Sequence, residues 1–478
     1  MTHLPCPVYV SHIDGISCPA GQQEFPLVAP ESGERIGTIR EAGIEGVEAA
    51  VHSATAFYRA NRSSPVHQRI AWLQTCARSL AGASEELAQI IREDVGKPIR
   101  IARVEIKRGV EFIEACAAAL PQITGEVLPL DSVVPGTAHF GFTRHVPYGV
   151  VAGITPFNAP VNLLIQKAAP AIAAGNAFIG KPAPAGTRTA LRLAVLFADA
   201  GLPKGLFNIV TGDRETAAAL AGHNGVSVVS FTGGTVGGQA LARIAGAKKF
   251  LAELGSNAAN IVLADADVAD AAQRIAAAAF EASGQQCISA QRILVDRCVL
   301  DEFVARFASA ASALRVGSAL DPATDIGPMV SAASADRVMG FCEDAIARGA
   351  RAVLAPRREG AIVSPGIFVD VPRDARIWCE EVFGPLAVVV PFDGIDHALE
   401  LANDSPFGLQ GAVFTKSLGH AMRFADEFDV GALWINEASR FRLDAYPFGG
   451  MKQSGVGREG VRYAIAEYSQ IKFIGMRP

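Results

Sequence analysis

The sequence predicts an α/β protein built on largely parallel sheets, and three observations predict it. Short apolar runs alternate with helix-length segments through most of the chain. The runs end in Gly, Pro or Asn punctuation. Of 478 residues, 50% are hydrophobic and 19% charged, enough to bury sizeable cores, and the length suggests about two to four domains.

Taken in order, residues 150–154 read as a strand ending at Thr155-Pro156, and 160–174 as an apolar helix stopped by Gly175-Asn176. Residues 177–180 form a strand before Lys181-Pro182, and 189–200 a helix stopped by Gly201-Leu202-Pro203. Residues 206–210 and 226–231 are further strands ending in Gly-rich turns. A second block follows residue 250. Strands are expected at 261–263, 293–295, 386–390, 412–414 and 433–435, with helices at 268–282 and 300–314. The change near residue 250 marks a domain boundary. No fixed-period repeat is seen.

Charge excludes some functions. The net charge is -5 with no Lys/Arg block, so a nucleic-acid partner is not expected. The Ala-rich stretches are far shorter than the roughly 20 residues that span a bilayer, so no membrane partner is expected either. The start lacks a basic segment followed by a long apolar one, which implies a soluble cytoplasmic protein. Eight cysteines stand singly with no CxxC pair, implying a reducing compartment and no metal site.

One cysteine has suggestive neighbours. Cys287 closes Gly284-Gln285-Gln286-Cys287 after an Ala-rich helix, where packing alone explains a thiol less well. Glu253, in Leu251-Ala252-Glu253-Leu254-Gly255, has apolar surroundings that raise a carboxyl toward the range of a general base; a surface strand end is the alternative. Asn158, in Thr155-Pro156-Phe157-Asn158, fits an oxyanion donor and equally a helix N-cap. Nucleophile, base and oxyanion donor are the parts that turn an aldehyde into an acid through a thioester. Phe231-Thr232-Gly233-Gly234-Thr235-Val236 follows a strand and enters a helix, which suits a dinucleotide phosphate. Gly455-Val456-Gly457-Arg458-Glu459-Gly460 matches GxGxxG but has no preceding strand and is set aside.

Together these segments resemble the NAD(P)-dependent aldehyde dehydrogenase superfamily. The likeness runs in order through Thr155-Pro156-Phe157-Asn158, Gly180-Lys181-Pro182-Ala183, Phe231-Thr232-Gly233, Glu253-Leu254-Gly255, Gly284-Gln285-Gln286-Cys287, Glu380-Glu381-Val382-Phe383-Gly384-Pro385 and Pro447-Phe448-Gly449-Gly450-Met451-Lys452-Gln453-Ser454-Gly455. It implies that fold: a cofactor domain over 1–121 and 142–250, a catalytic domain over 251–446, and an oligomerisation arm over 122–141 and 463–478. It implies Cys287 as nucleophile, Asn158 at the oxyanion and Glu253 as activator of the hydrolytic water. It implies NAD or NADP held by Ile154, Thr155, Pro156, Phe157, Lys181, Ala183, Pro184, Thr232, Gly233, Gly234, Val236, Leu254, Glu381 and Phe383, in a homodimer or homotetramer.

Departures from the family pattern bear on the cofactor and the substrate. Pro184 stands where many NAD-preferring members have Glu, which admits a 2′-phosphate and so NADP. Gly234 replaces a common Ser and Val236 a common Glu. The substrate residues implied are Arg108, Asn162, Gln166, Gln286, Ile288, Arg440 and Arg442. Asn162 and Gln166 replace tunnel aromatics, and guanidinium groups suit anions. The likeness is nearest in feel to the lactaldehyde, non-phosphorylating glyceraldehyde-3-phosphate and phosphonoacetaldehyde dehydrogenases, although the last two usually carry Arg where this chain has Gln286. The expected substrate is a short polar, anionic aldehyde. The alternatives are a CoA-acylating relative, against which Glu253 argues, and an idle binding or structural protein on the same scaffold.

Overall fold

The computed structural model describes residues 6–477. Positions 1–5 of the expected cofactor segment lie outside the described residues, as does position 478 of the expected arm. Two large sheets organise the chain. The first has eight strands in the spatial order Gly455–Val456, Lys249–Glu253, Val228–Thr232, Val150–Thr155, Ala177–Pro182, Phe207–Ile209, Ser11–Ile13, Ile16–Cys18. Its five central strands run parallel. The chain steps outward from Val150–Thr155 to Phe207–Ile209, then returns to lay Val228–Thr232 on the other side of its starting strand. That reversal opens a crevice beyond the carboxyl ends of the strands, the usual ligand position in such sheets.

The second sheet has seven strands in the order Arg351–Leu354, Gly366–Val369, Leu386–Phe392, Arg292–Asp296, Ala259–Val262, Gln410–Phe414, Ala432–Ile435. All pair in parallel except the edge strand Arg351–Leu354. Side chains alternate between its faces: Ile261 and Leu294 enter one core, Val262 and Ile293 the other. Burial on both faces explains why these strands read as continuous apolar runs.

The structure moves several expected boundaries. Leu251 and Glu253 belong to the first sheet, past the boundary expected at 250, and the second sheet takes up the chain only at Ala259–Val262. The helix expected over 160–174 starts at Asn162, and that expected over 268–282 stops at Phe280. Gly455–Val456 is an antiparallel edge strand beside Lys249–Glu253, which agrees with setting its GxGxxG aside. Helix Val461–Glu467 packs into the first core through Val461, Ala464 and Ile465, so residues 463–467 are not part of an arm. A three-stranded sheet of Val127–Leu128, Phe140–Pro147 and Ser469–Met476 projects apolar side chains outward, among them Val127 and Ile471, each 70% exposed. Its long strand passes the expected end at 141 because all eight of its residues pair with the C-terminal strand.

Candidate active site

Helix Val268–Phe280 delivers the nucleophile segment. Asp267 caps its start by accepting from the Asp270 N–H, and its end is broken by three left-handed residues, Ala282, Ser283 and Gly284. Two of these are not glycine, a conformation costing about 1–3 kcal/mol each that persists only where surroundings enforce it. Here Ser283 Oγ donates to the Gly327 carbonyl at 2.8 Å, and Gln285 Oε1 accepts from the Val330 N–H. Gly284 has no alternative, since a Cβ there would lie 2.2 Å from the Gly384 carbonyl oxygen. The turn sets half-buried Cys287 against Ile288, Leu409, Tyr446 and Phe448.

Cys287 opens into a cavity of ≈ 140 Å³. Asn158 and all seven expected substrate residues line it: Arg108, Asn162, Gln166, Gln286, Ile288, Arg440 and Arg442. Each arginine also meets a carboxylate. Arg108 donates to Asp444 through Nε at 3.0 Å and Nη2 at 2.6 Å. Arg440 pairs with Glu281 at 2.7 Å, and Arg442 with Glu459 at 2.8 Å. The Arg442 guanidinium also lies 3.7 Å over the Phe448 ring and donates to Gln166 Oε1. The Nε–H groups of Arg440 and Arg442 are buried and have no acceptor among the described residues.

Asn158 is not a helix cap. The helix starts four residues later, and its first N–H groups, of Val161 and Asn162, donate to Glu105 Oε1 from the packed helix Ile99–Ala119. A buried carboxylate on a neighbouring helix has replaced the local cap, which leaves the Asn158 amide free toward the cavity. Its Oδ1 is buried without a partner.

Glu253 lies at the carboxyl end of its strand, 5% exposed. It faces not the main cavity but an adjoining space of ≈ 10 Å³, about one water, shared with Lys167, Ser230, Arg458 and Glu459. Burial pushes its carboxyl well above the ordinary value, Glu459 adds to the rise, and Arg442, Lys167 and Arg458 oppose it. Burial also pushes Cys287 up to about 12; among its neighbours Arg442 lowers it, while Glu381, Glu253 and Glu459 raise it.

The expected cofactor residues gather around the crevice of the first sheet. Ile154 and Thr155 end its central strand, Lys181 is the penultimate residue of the next, and the Ala183 N–H closes on the Thr155 carbonyl. Pro156 and Phe157 continue from the central strand, and Pro184 begins a short helical turn. Thr232 ends its strand, and Gly233-Gly234 leads into helix Thr235–Ala245, which has no acidic residue in its first turn and an exposed Val236. Leu254 packs beneath Gly238. Glu381 reaches over from the segment before strand Leu386–Phe392, accepting from the Ser256 N–H, and Phe383 meets the Phe157 ring edge-on at 5.9 Å. The residues fit a dinucleotide. A Cβ at Gly234 would meet nothing within 4 Å, and the buried hydroxyls of Thr232 and Thr235 have no partner among the described residues. Burial lowers Lys181 to about 8, opposed by Asp213 and Glu41, and raises Glu381 to about 7.

The sequence pattern of the "Aldehyde dehydrogenase family" matches residues 18–474. The chain belongs to the aldehyde dehydrogenase family. It is an oxidoreductase that acts on an aldehyde group with NAD or NADP. It is 40% identical over 431 residues, 90% of each chain, to a 3-sulfolactaldehyde dehydrogenase of Priestia aryabhattai. To a lactaldehyde dehydrogenase of Methanocaldococcus jannaschii it is 35% identical, over 95% of this chain and 97% of that one. The NADP-dependent glyceraldehyde-3-phosphate dehydrogenase of Bacillus halodurans, solved with NADP, superposes with a TM-score of 0.95 at 31% identity, over 98% of this chain and 99% of that one.

Sequence reading missed the acidic half of this aldehyde dehydrogenase site. Glu105, Asp444 and Glu459 sit far from Cys287 in the chain, Glu281 lies six residues before it, and none carries a recognisable ligand pattern. Glu459 alone had a signal: a charged pair, Arg458-Glu459, inside a glycine run. No group of three or more metal-ligating side chains occurs among the described residues. Nor is any described helix long and apolar enough to cross a membrane.

Proposed function

We propose that the enzyme oxidises a short polar, anionic aldehyde to its carboxylic acid through a thioester on Cys287. The observation that carries this reading is the cavity itself. It brings the thiol, Asn158 and the arginines Arg108, Arg440 and Arg442 around one space of ≈ 140 Å³. Guanidinium groups recognise an oxyanion by charge-assisted hydrogen bonds.

In the proposed sequence the Cys287 thiol gives its proton to solvent in the cavity, and the sulfur adds to the aldehyde carbon, whose C=O π bond opens to an oxyanion. The Asn158 side-chain amide and the Cys287 backbone N–H stabilise the oxyanion. NAD or NADP, when bound, would supply the hydride acceptor that oxidises this adduct, and Cys287 would retain the acyl group as a thioester. Glu253, raised by burial toward the range of a general base, takes a proton from the attacking water. Water and thioester then yield acid and free thiol. Lys181 would hold the adenosine ribose, Glu381 and Phe383 the nicotinamide ribose, and the Gly233-Gly234 turn the phosphates. The arm sheet, with its outward apolar side chains, supports assembly into a homodimer or homotetramer. Eight free cysteines fit a reducing, cytoplasmic setting.

The test is acyl-enzyme trapping in Glu253→Gln. Single turnover should give a burst of reduced cofactor, slow steady turnover indifferent to CoA, and a mass increment on Cys287. Absence of any adduct on that side chain would refute the assignment, and unchanged steady turnover would refute the role of Glu253. A clear preference for long aliphatic or aromatic aldehydes would overturn the substrate class.

A further inference from the structure

We propose that the cavity is matched to an aldehyde carrying a single negative charge, on a sulfonate or a carboxylate, and that Asp444 sets this limit by holding Arg108 out of the anion site. The proposal rests on the anionic-aldehyde reading and narrows it by charge.

The geometry points there first. Asp444 engages Arg108 through both Nε and Nη2, in the forked arrangement that uses the guanidinium edge best suited to an oxyanion. It also accepts from Gln166 Nε2 at 3.1 Å. Arg442 Nε stands 4.0 Å from it, too far for a hydrogen bond. The loop is fixed, because the Asp444 carbonyl accepts from the Val461 N–H. Arg108 therefore faces the cavity with its charge already answered. Arg440 and Arg442 each meet their carboxylate through a single nitrogen, Nη1 and Nη2, which leaves further guanidinium N–H groups at the cavity wall for one oxyacid group.

Counting charges gives the same answer. Arg108 is balanced by Asp444, Arg440 by Glu281, and Lys97 by Glu105. Lys167 and Arg442 pair with Glu459, and Arg458 shares their buried space with Glu459 and Glu253, three cations to two carboxylates. One positive charge is left over. A monoanion neutralises it, whereas a phosphate monoester, doubly charged above its second pKa of about 6, leaves a buried negative charge unanswered.

The experiment measures kcat/KM at pH 8 for short aldehydes matched in length and bearing a sulfonate, a carboxylate, a phosphate ester or no charge. The expected result is a preference of tenfold or more for both monoanions over the dianion and the uncharged aldehyde. In Asp444→Asn the freed Arg108 should lower KM for the phosphate aldehyde about tenfold or more, the worth of a charge-assisted hydrogen bond. Adding Arg108→Gln should abolish that gain. Equal use of monoanion and dianion, each well above the uncharged aldehyde, would overturn the charge match and leave the anionic reading standing. Preference for the uncharged aldehyde would overturn both. A gain that survives loss of Arg108 would overturn the role of Asp444. The wild-type series stands without either variant.

Discussion

Arg442→Met removes one cation from a buried charge group, and the consequence can be worked through. Glu459 accepts from Arg442 Nη2 at 2.8 Å and from Lys167 Nζ at 3.1 Å. A unit pair at contact in an effective dielectric near 20 is worth about 4 kcal/mol. Stripping a buried charge of its partner costs roughly 3–5 kcal/mol. Lys167 remains, so the lower figure, about 3 kcal/mol, is expected. The sign with pH follows from the carboxyl. Burial pushes Glu459 up, but Lys167 and Arg442 more than offset it and leave it below the ordinary carboxylate value. A depressed carboxyl stabilises the fold above its unfolded pKa and loses that contribution as pH falls. Without Arg442 burial prevails, the pKa rises, and the carboxyl begins to oppose folding at neutral pH. The deficit should therefore be largest near pH 8 and shrink toward pH 4–5. Urea midpoints at the two pH values, compared at constant slope, measure it. Activity should report the same loss, because Arg442 also lowers both Cys287 and Glu253. The acid limbs of kcat and kcat/KM should move to higher pH even with an uncharged aldehyde. A deficit equal at pH 5 and pH 8, with unmoved limbs, would refute the coupling and leave Arg442 as a packing residue on Phe448.

Three further predictions concern positioning. Gly284→Ala should lower kcat at least a hundredfold while leaving cofactor binding intact by fluorescence titration, since a carbon 2.2 Å from the Gly384 carbonyl must shift the turn bearing Cys287. Asn158→Ala should cut kcat by roughly 10²–10³, the usual worth of one oxyanion donor; a tenfold effect or less would show the backbone N–H sufficing alone. Pro184→Glu should weaken NADP relative to NAD tenfold or more in paired kcat/KM measurements, because the new carboxylate would face the 2′-phosphate.

The parts of this site that sequence could show are those whose chemistry is local. The strand ends carrying Thr155, Lys181 and Thr232, and the turn carrying Cys287, announce themselves through a few consecutive residues, so position in the fold followed from pattern. Asn158 illustrates the limit. Its place before a proline-led segment suggested a cap, and only tertiary packing shows that Glu105, from a helix more than fifty residues earlier, has taken that duty. The arginines illustrate it more sharply. Composition of the tunnel showed three cations, and three free cations would favour a highly charged substrate. The structure brings Asp444, Glu281 and Glu459 to meet them one by one. These carboxylates come from two chain segments whose approach is fixed by sheet pairing: the return of Gly455–Val456 to the first sheet carries Glu459 in behind it. Selectivity in such a site is a difference between opposing charges drawn from distant segments. Residue types alone therefore point to an anion, while its permitted charge follows only from which cations the fold has already neutralised.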